Sequence, residues 1–284
     1  MKNFRHLLSL TYPLLKTYNY SLINKSKSRL RVLIFHDIRP EQEQNFSTLL
    51  KWLSKSWNFI DPKDFESILN GSKPVKGNNL LLSFDDGYIS NRKIADEILN
   101  PMGIHALFFV VSDFISINNL KESKDFVSKN FFPRSDTNNI INTGHNMSWL
   151  DLEALLKQGH MIGAHTKTHA RLSDTTKFTN FKEEIIDSAN TIEQQLGIEV
   201  SHFAFTFGDL QSMTKEALLE ACNRFEYIYT GLRGNNTIKN ISKYAIRRDP
   251  IDLNDSLWMI GSLLEGAVDW RYKKNLIEYE SWLK

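Results

Sequence analysis

The chain of 284 residues contains a single cysteine, Cys222, and therefore cannot form an intrachain disulfide. A lone cysteine inside a predicted helix is more typical of a small buried apolar residue than of a nucleophile. The chain also lacks any run of roughly 20 apolar residues, which is the length that a helix needs to cross a bilayer. Its first apolar stretch is interrupted by polar residues and Pro13, without a signal-peptide cleavage pattern. We therefore expect a cytoplasmic protein.

Acidic residues are absent from the first 31 positions, which hold seven lysines and arginines. The remainder carries 28 basic and 33 acidic residues, whereas a nucleic-acid-binding protein usually places its basic excess on the folded domain. Apolar residues recur near helical spacing in the same stretch, so we expect residues 1–30 to form a basic amphipathic extension, divided by Pro13. Two alternatives stay open for it: peripheral contact with an anionic membrane at the inner face of the cell, or packing on the outside of the domain.

Strand and helix signals alternate over residues 31–284, which we expect to form one catalytic domain. Apolar runs predict strands over 31–36, 80–84, 105–111, 160–164, 201–205, 226–230 and 243–247. Helical patterns lie between these runs, and a last helix is predicted over 254–266. Such repeated units predict an α/β fold, and their number favours a distorted (β/α) barrel over an open sheet. The polar stretch 115–147 interrupts the alternation, and we expect an insertion loop there.

Two polar clusters follow predicted strands. Asp85 and Asp86 come directly after the strand 80–84 and precede a glycine, which can turn both carboxylates into one mouth, although Asp-Gly is also a common surface turn. His165 and His169 end the strand 160–164, and one helical turn would bring their imidazoles to one side. Two neutral imidazoles and a carboxylate suit Zn²⁺ or another divalent transition metal.

The segments LLLSFDDGY and GHMIGAHTKTHARL resemble the first two motifs of the polysaccharide deacetylase family, also called the NodB-homology domain or carbohydrate esterase family 4. The resemblance implies a distorted (β/α) barrel in which Asp86, His165 and His169 hold a divalent metal, with Zn²⁺ the first choice. It further implies that Asp85 is the general base for the metal-bound water and that the backbone N–H of Phe207 is an oxyanion donor. The implied substrate is an N-acetylhexosamine unit of a surface glycan or its precursor.

The sequence departs from the family pattern at the residue that orients the base. The arginine of the third motif is replaced by Ala204, and we select Arg248 to supply the missing charge, with Arg247 as the other candidate. The alternative for either arginine is a salt bridge on the surface.

The histidine that serves as general acid in the fifth motif is also absent, since residues 244–249 contain none. His36 at the end of the first strand and His145 in the insertion are candidates for that acid, and catalysis without a separate acid is a third alternative. His105, His160 and His202 lie near strand starts, so we expect structural roles for them.

Other functions fit the same residues. The metal site would also serve an O-deacetylase or a hydrolase of another small amide, and a glycan-binding relative could have lost catalysis. The presence of Asp85 argues against that loss, because a metal site alone does not require it. The sequence gives no indication of the oligomeric state.

Overall fold

The computed structural model describes residues 2–23, 28–132, 145–173, 180–236 and 242–284. Its centre is a sheet of parallel strands. The strands are β1 (Arg29–Phe35), β2 (Asn58–Phe59), β3 (Asn78–Phe84), β4 (Leu107–Val110), β5 (Met161–Ala164), β6 (His202–Ala204), β7 (Tyr227–Tyr229) and β8 (Asp249–Pro250). Their order is β7-β6-β5-β4-β3-β1-β8, and β2 pairs with β3 at its start.

Helices cover the outside of this sheet. They are α1 (Lys2–Leu10), α2 (Tyr12–Ile23), α3 (Glu43–Leu53), α4 (Pro62–Leu69), α5 (Ile89–Ile94), α6 (Ser112–Ile115), α7 (Leu120–Phe126), α8 (Trp149–Lys157), α9 (Ser188–Leu196), α10 (Lys215–Arg224), α11 (Leu257–Leu264) and α12 (Lys273–Ser281). Segments of π-helix adjoin α5, α7 and α9, over Ala95–Leu99, Val127–Phe131 and Lys182–Asp187 respectively. Local sequence fixes several starts: Asp61 caps α4, and Ser148 with Asp151 forms a capping box at α8.

The segment that follows β7 joins the two edges of the sheet. Ile246 bridges Tyr229 of β7, and three residues later Asp249 pairs with Leu33 of β1. The sheet therefore curls into the distorted α/β barrel that the sequence predicts, and this prediction is confirmed. The prediction of a strand over 243–247 is wrong. The chain crosses there from one edge of the sheet to the other, and within this range a single bridge, at Ile246, pairs with the sheet.

Side-chain alternation along the strands separates the barrel interior from the shell beneath the helices. The interior cluster includes Leu30, Val32, Leu81, Leu107, Phe109 and Tyr229. Gly163 leaves room for one of these rings, since a Cβ there would lie 2.7 Å from Phe109. The inward row of β3 continues past its end to Asp85, and that of β5 continues to His165. The strand pattern therefore directs both side chains to the same end of the barrel.

The insertion loop predicted over 115–147 is wrong for its first part. Helix α7 and the π-helical segment after it occupy residues 120–131 and pack Phe126 and Phe131 against Phe114. Polar residues on the outer faces of these short helices concealed the few buried positions. Residues 133–144 of the predicted insertion lie outside the described residues. Helix α12 was also missed, so the helix predicted over 254–266 is not the last.

Helices α1 and α2 pack on α11, which is the second of the two arrangements considered for residues 1–30. Ser262 donates to the carbonyl of Leu8 (2.8 Å), and the ring centroid of Tyr12 lies 6.4 Å from that of Trp258. Arg5 pairs with Asp255 at the start of α11. No helix formed by the described residues is long and apolar enough to cross a membrane.

The outer face of these two helices remains exposed. Its large apolar side chains are Leu7, Leu10, Leu14, Tyr18 and Tyr20, and Leu14 is 76% exposed. An amphipathic surface of this kind would allow membrane contact without displacing the helices from α11. Membrane contact stays a prediction, in which these side chains would enter the bilayer surface.

Replacing Leu14 with Glu would test it. If the exposed face enters an anionic bilayer, full-length wild-type protein should sediment with phosphatidylglycerol vesicles at low salt and be released at high salt. Leu14→Glu should weaken that binding by about tenfold or more, because it removes one leucine from the bilayer boundary. Leu150→Glu is the matched control, since Leu150 is 73% exposed in the first turn of α8. Equal sedimentation of the two variants, or no sedimentation of the wild type, would contradict membrane contact.

Candidate active site

The two aspartates reach one mouth through a left-handed turn. The N–H of Asp85 donates to the carbonyl of Phe35 (2.9 Å) and so continues the strand pairing of β3 with β1. Asp86 then adopts φ 78° and Gly87 φ 98°. This backbone turns the second carboxylate towards the first instead of to the opposite face of the sheet. A side chain at Gly87 would collide with Ile115, since a Cβ would lie 2.7 Å from its Cδ1.

The two histidines also converge, but by a different route from the helical turn that their spacing predicts. The N–H of His165 donates to the carbonyl of Val110 (3.0 Å), as the last rung between β5 and β4. Thr166 and His169 then both adopt φ 63°, in the left-handed region. The segment between them is therefore an irregular turn, and the predicted helical turn is wrong.

Backbone carbonyls fix the orientation of both imidazoles. Nδ1 of His165 bonds to the carbonyl of Ala204 (2.8 Å), and Nδ1 of His169 bonds to that of Asn130 (3.2 Å). Since a carbonyl only accepts, each Nδ1 carries the proton and each Nε2 keeps a lone pair. The two Nε2 atoms lie 3.6 and 3.4 Å from Oδ1 of Asp86. Sequence reasoning missed Asn130, because a main-chain carbonyl leaves no signature in the residue type.

These three residues fit a divalent metal. Their ligand atoms lie within 4.8 Å of one another, and Oδ1 of Asp86 is buried with no hydrogen-bond donor among the described residues. Burial, together with the charge of Asp85, raises the pKa of Asp86 well above its ordinary value. Burial lowers the pKa of His165 to about 4 and that of His169 to about 3, so both rings are neutral near pH 7. A cation would satisfy the carboxylate oxygen and both lone pairs at once.

Arg248 is directed at the other aspartate. Its Nη1 donates to Oδ1 of Asp85 (2.7 Å), its Nε donates to the carbonyl of Thr230 (3.0 Å), and its Cζ lies 5.0 Å from the ring centroid of Phe109. Burial disfavours the charged form of Asp85, but Arg248, helped by two nearby imidazoles, outweighs it and lowers the pKa of Asp85 below its ordinary value. Arg248 is buried, so the surface alternative does not apply to it.

Arg247 and Ala204 occupy other surroundings. Arg247 pairs with Glu280 (3.0 Å), which is the outer salt bridge that was considered for both arginines. Ala204 is fully buried in the interior cluster of the barrel. The guanidinium reaches Asp85 from the segment that closes the barrel and not from β6.

The convergent residues line a cavity of about 290 Å³. Its lining consists of Ile34, His36, Asp85, Asp86, Phe131, Phe132, His165, His169, Phe205, Phe207, Gly208, Gly231, Arg248 and Pro250. Phe207 has φ 60°, and its backbone N–H has no acceptor in the part of the chain that the structure describes. The ring of His169 packs between those of Phe131 (4.5 Å) and Phe207 (4.6 Å). Apolar walls thus surround a small group of polar atoms.

Of the remaining histidines, His36 is exposed at this cavity, whereas His145 is not among its lining residues. His160 accepts the N–H of Ala106 (3.1 Å), at the opposite end of β5 from His165. His202 bonds Tyr229 (2.9 Å) and Glu66 (2.8 Å).

Burial raises the pKa of the Cys222 thiol to about 11, which leaves it protonated near neutral pH.

Solved structures with a similar fold cover most of the chain. IcaB from Ammonifex degensii matches with a TM-score of 0.65 and 19% identity, over 84% of this chain and 98% of its own. A de-N-acetylase from Aggregatibacter actinomycetemcomitans gives 0.63 and 17%, over 83% and 99%. The deacetylase PplD of Streptococcus pyogenes, in complex with acetate, gives 0.62 and 17%, over 83% and 98%. At these identities the likeness establishes the fold.

Sequence comparison identifies the family. YxkH of Bacillus subtilis strain 168, whose description places it among the polysaccharide deacetylases, is 21% identical over 198 residues. That alignment covers 67% of this chain and 61% of the relative, so the chain spans less than two thirds of that protein. The model of the polysaccharide deacetylase family matches residues 72–225, more than half of the chain, including both aspartates and both histidines. The chain is a member of the polysaccharide deacetylase family.

Proposed function

We propose that this protein is a metal-dependent hydrolase that removes the N-acetyl group from an N-acetylhexosamine unit of a surface glycan or its precursor. The observation that carries the proposal is that the two adjacent carboxylates have different partners. Asp85 pairs with Arg248, while Oδ1 of Asp86 faces two neutral imidazoles and receives no hydrogen bond from the residues that the structure describes. Membership of the polysaccharide deacetylase family supports the reaction class.

Asp86, His165 and His169 would hold the metal, and Zn²⁺ suits this set of one carboxylate and two imidazole nitrogens. When bound there, such an ion lowers the pKa of water and polarises the acetyl carbonyl. The protein supplies the fixed geometry: the carbonyls of Ala204 and Asn130 keep each Nε2 directed at Asp86.

Asp85 would act as the general base. Its Oδ2 lies 3.8 Å from Nε2 of His165, on the same side as the three ligand atoms, while its Oδ1 is held by Arg248. The guanidinium keeps the carboxylate ionised and in place, so that Asp85 can take a proton from the attacking water. The backbone N–H of Phe207 would donate to the oxygen of the acetyl carbonyl as negative charge develops on it.

His36 is the better candidate for the general acid. It lines the cavity beside the aspartates, at the end of β1, whereas His145 does not. Desolvation in the cavity lowers the pKa of His36, and the negative charge of Asp85 opposes that shift. A protonated imidazole there would therefore depend on Asp85, and it would deliver the proton that the leaving amine requires.

An N-acetylated glycan fits the shape and chemistry of the cavity. Phenylalanine rings form much of its lining, and Phe132 is 44% exposed at its edge, where a sugar ring could pack. The likeness in fold to a de-N-acetylase supports the amide as the reacting bond. We also propose that the protein lies in the cytoplasm or at the membrane periphery, a location that would suit a glycan precursor as substrate.

Acetate release from oligomers of N-acetylglucosamine, measured with zinc-loaded protein, tests this function. Wild-type protein should release acetate, and Asp85→Asn should lower turnover by roughly a hundredfold or more, because the base is lost. The variant should retain its zinc, since Asp85 is not among the proposed ligands. A parallel assay on O-acetylated oligosaccharides separates amide from ester hydrolysis. Near-full turnover of Asp85→Asn, or no release by the wild type from the N-acetylated oligomers, would contradict the proposal.

Replacement of Arg248 tests the source of the charge beside the base. Without the guanidinium, the pKa of Asp85 should rise, so activity should be lost at a higher pH as the solution is acidified. We expect Arg248→Met to move the acidic limb of the pH–rate profile by about one pH unit or more.

Arg247→Met is the matched control, because Arg247 pairs with Glu280 away from the cavity. It should leave the acidic limb in place. Thermal denaturation checks that both variants are folded, which matters because breaking a buried ion pair can cost about 3–5 kcal/mol. An acidic limb common to the wild type and both variants would show that Arg248 does not act on the base.

A further inference from the structure

The turn between the two histidines lacks the support of regular secondary structure. Residues 166–168 belong to neither a helix nor a strand, and Thr166 and His169 have φ 63°. Residues other than glycine seldom adopt this backbone unless neighbouring groups hold it. Because His169 is itself one of the two left-handed residues, the position of its ring depends directly on whatever holds the turn.

Glu184 supplies such a hold from one side. It lies in the π-helical segment Lys182–Asp187 and is only 8% exposed. Its Oε2 accepts the backbone N–H groups of Lys167 (3.1 Å) and Thr168 (2.9 Å), and its Oε1 accepts the hydroxyl of Thr168 (2.7 Å). One buried carboxylate therefore satisfies three donors of the turn, and hydrogen bonds to a charged acceptor are among the stronger ones.

The other side of the turn is held by backbone groups. The carbonyls of Thr166 and Lys167 accept the N–H groups of Ser112 (3.4 Å) and Asp113 (3.0 Å), at the start of α6. The turn is thus fixed between α6 and Glu184. Its N–H groups donate to Glu184, and its carbonyls accept from the start of α6. Glu184 does not line the cavity, so its effect on the site must pass through the turn.

We propose that Glu184 is a positioning residue that sets the metal affinity of the site by holding the turn from His165 to His169. This inference rests on the proposed metal-dependent function. If the carboxylate is removed, the two amides lose their acceptor and the left-handed backbone at Thr166 and His169 loses its support. Nε2 of His169 would then no longer be held 3.4 Å from Asp86. Glutamine offers one amide oxygen in place of two carboxylate oxygens and would retain part of the hold.

The adjacent glutamate provides a matched control. Glu183 pairs with Nζ of Lys167 (2.7 Å) and therefore contacts the same turn, but its side chain is 50% exposed. It touches the side chain of Lys167 and not the backbone of the turn. Since exposed ion pairs contribute little, its removal should leave the turn unchanged.

Zinc affinity of metal-free, full-length protein, measured by competition with a chelating dye, tests the proposal without using activity. We expect Glu184→Ala to weaken zinc binding by about tenfold to a hundredfold, the scale known for partners that orient metal ligands. Glu184→Gln should give an intermediate loss, and Glu183→Ala should remain within about twofold of the wild type. The measurement is made well below the melting temperature of each metal-free variant, so that a loss of stability alone does not change the affinity.

Equal zinc affinity of folded Glu184→Ala and Glu183→Ala would overturn the proposal. If Glu184→Ala does not fold, Glu184→Gln decides the matter: wild-type affinity in that variant would overturn it as well. Failure of the proposed function gives a different result. In that case the wild type binds zinc without releasing acetate, while the ratio of affinities between the Glu184 and Glu183 variants still reports the role of Glu184.

Discussion

The buried pair of Arg248 and Asp85 is the interaction on which the chemistry of this site depends. Two adjacent carboxylates cannot both remain charged in a buried site without separate partners. Arg248 takes one of them at 2.7 Å, and its own position is fixed by the carbonyl of Thr230 and the ring of Phe109. Asp86 is thereby left for the two imidazoles. Arg248 belongs to the segment that closes the barrel. The pairing that closes the sheet therefore also places the guanidinium beside Asp85.

Left-handed backbone brings the remaining groups together. Asp86, His169 and Phe207 all have positive φ, although none of them is a glycine. Each lies just beyond the carboxyl end of a strand, where the strand has already directed a neighbouring side chain to the mouth. At Asp86 the turn adds a second carboxylate that regular alternation would send to the opposite face. Such conformations persist only when the surroundings hold them, as Glu184 and the start of α6 do for His169.

Sequence patterns could predict the parallel α/β barrel and the clusters at its strand ends, because apolar runs and their periodicity reflect local constraints. They also indicated Asp85, Asp86, His165 and His169 as neighbours. They could not predict that residues 243–250 cross between the sheet edges, since the crossing depends on pairing with two distant strands. For the same reason the environment of Arg248, and the outer salt bridge of Arg247, could not be predicted from their adjacent positions. The backbone carbonyl of Asn130 orients the imidazole of the turn, and the carboxylate of Glu184 accepts backbone N–H groups of the turn. Contacts that involve backbone groups leave no signature in the residue types, so the sequence could not indicate either residue.

The most direct test of the account is the location of the metal in a crystal of the protein grown with Zn²⁺. An anomalous difference map at the zinc absorption edge identifies the ion independently of any assumption about its ligands. We expect one peak at about 2.0–2.2 Å from a carboxylate oxygen of Asp86 and from Nε2 of both His165 and His169. We also expect Arg248 to remain bonded to Asp85. A peak coordinated by Asp85 in place of Asp86, or no peak among these residues, would contradict this assignment of ligands and base.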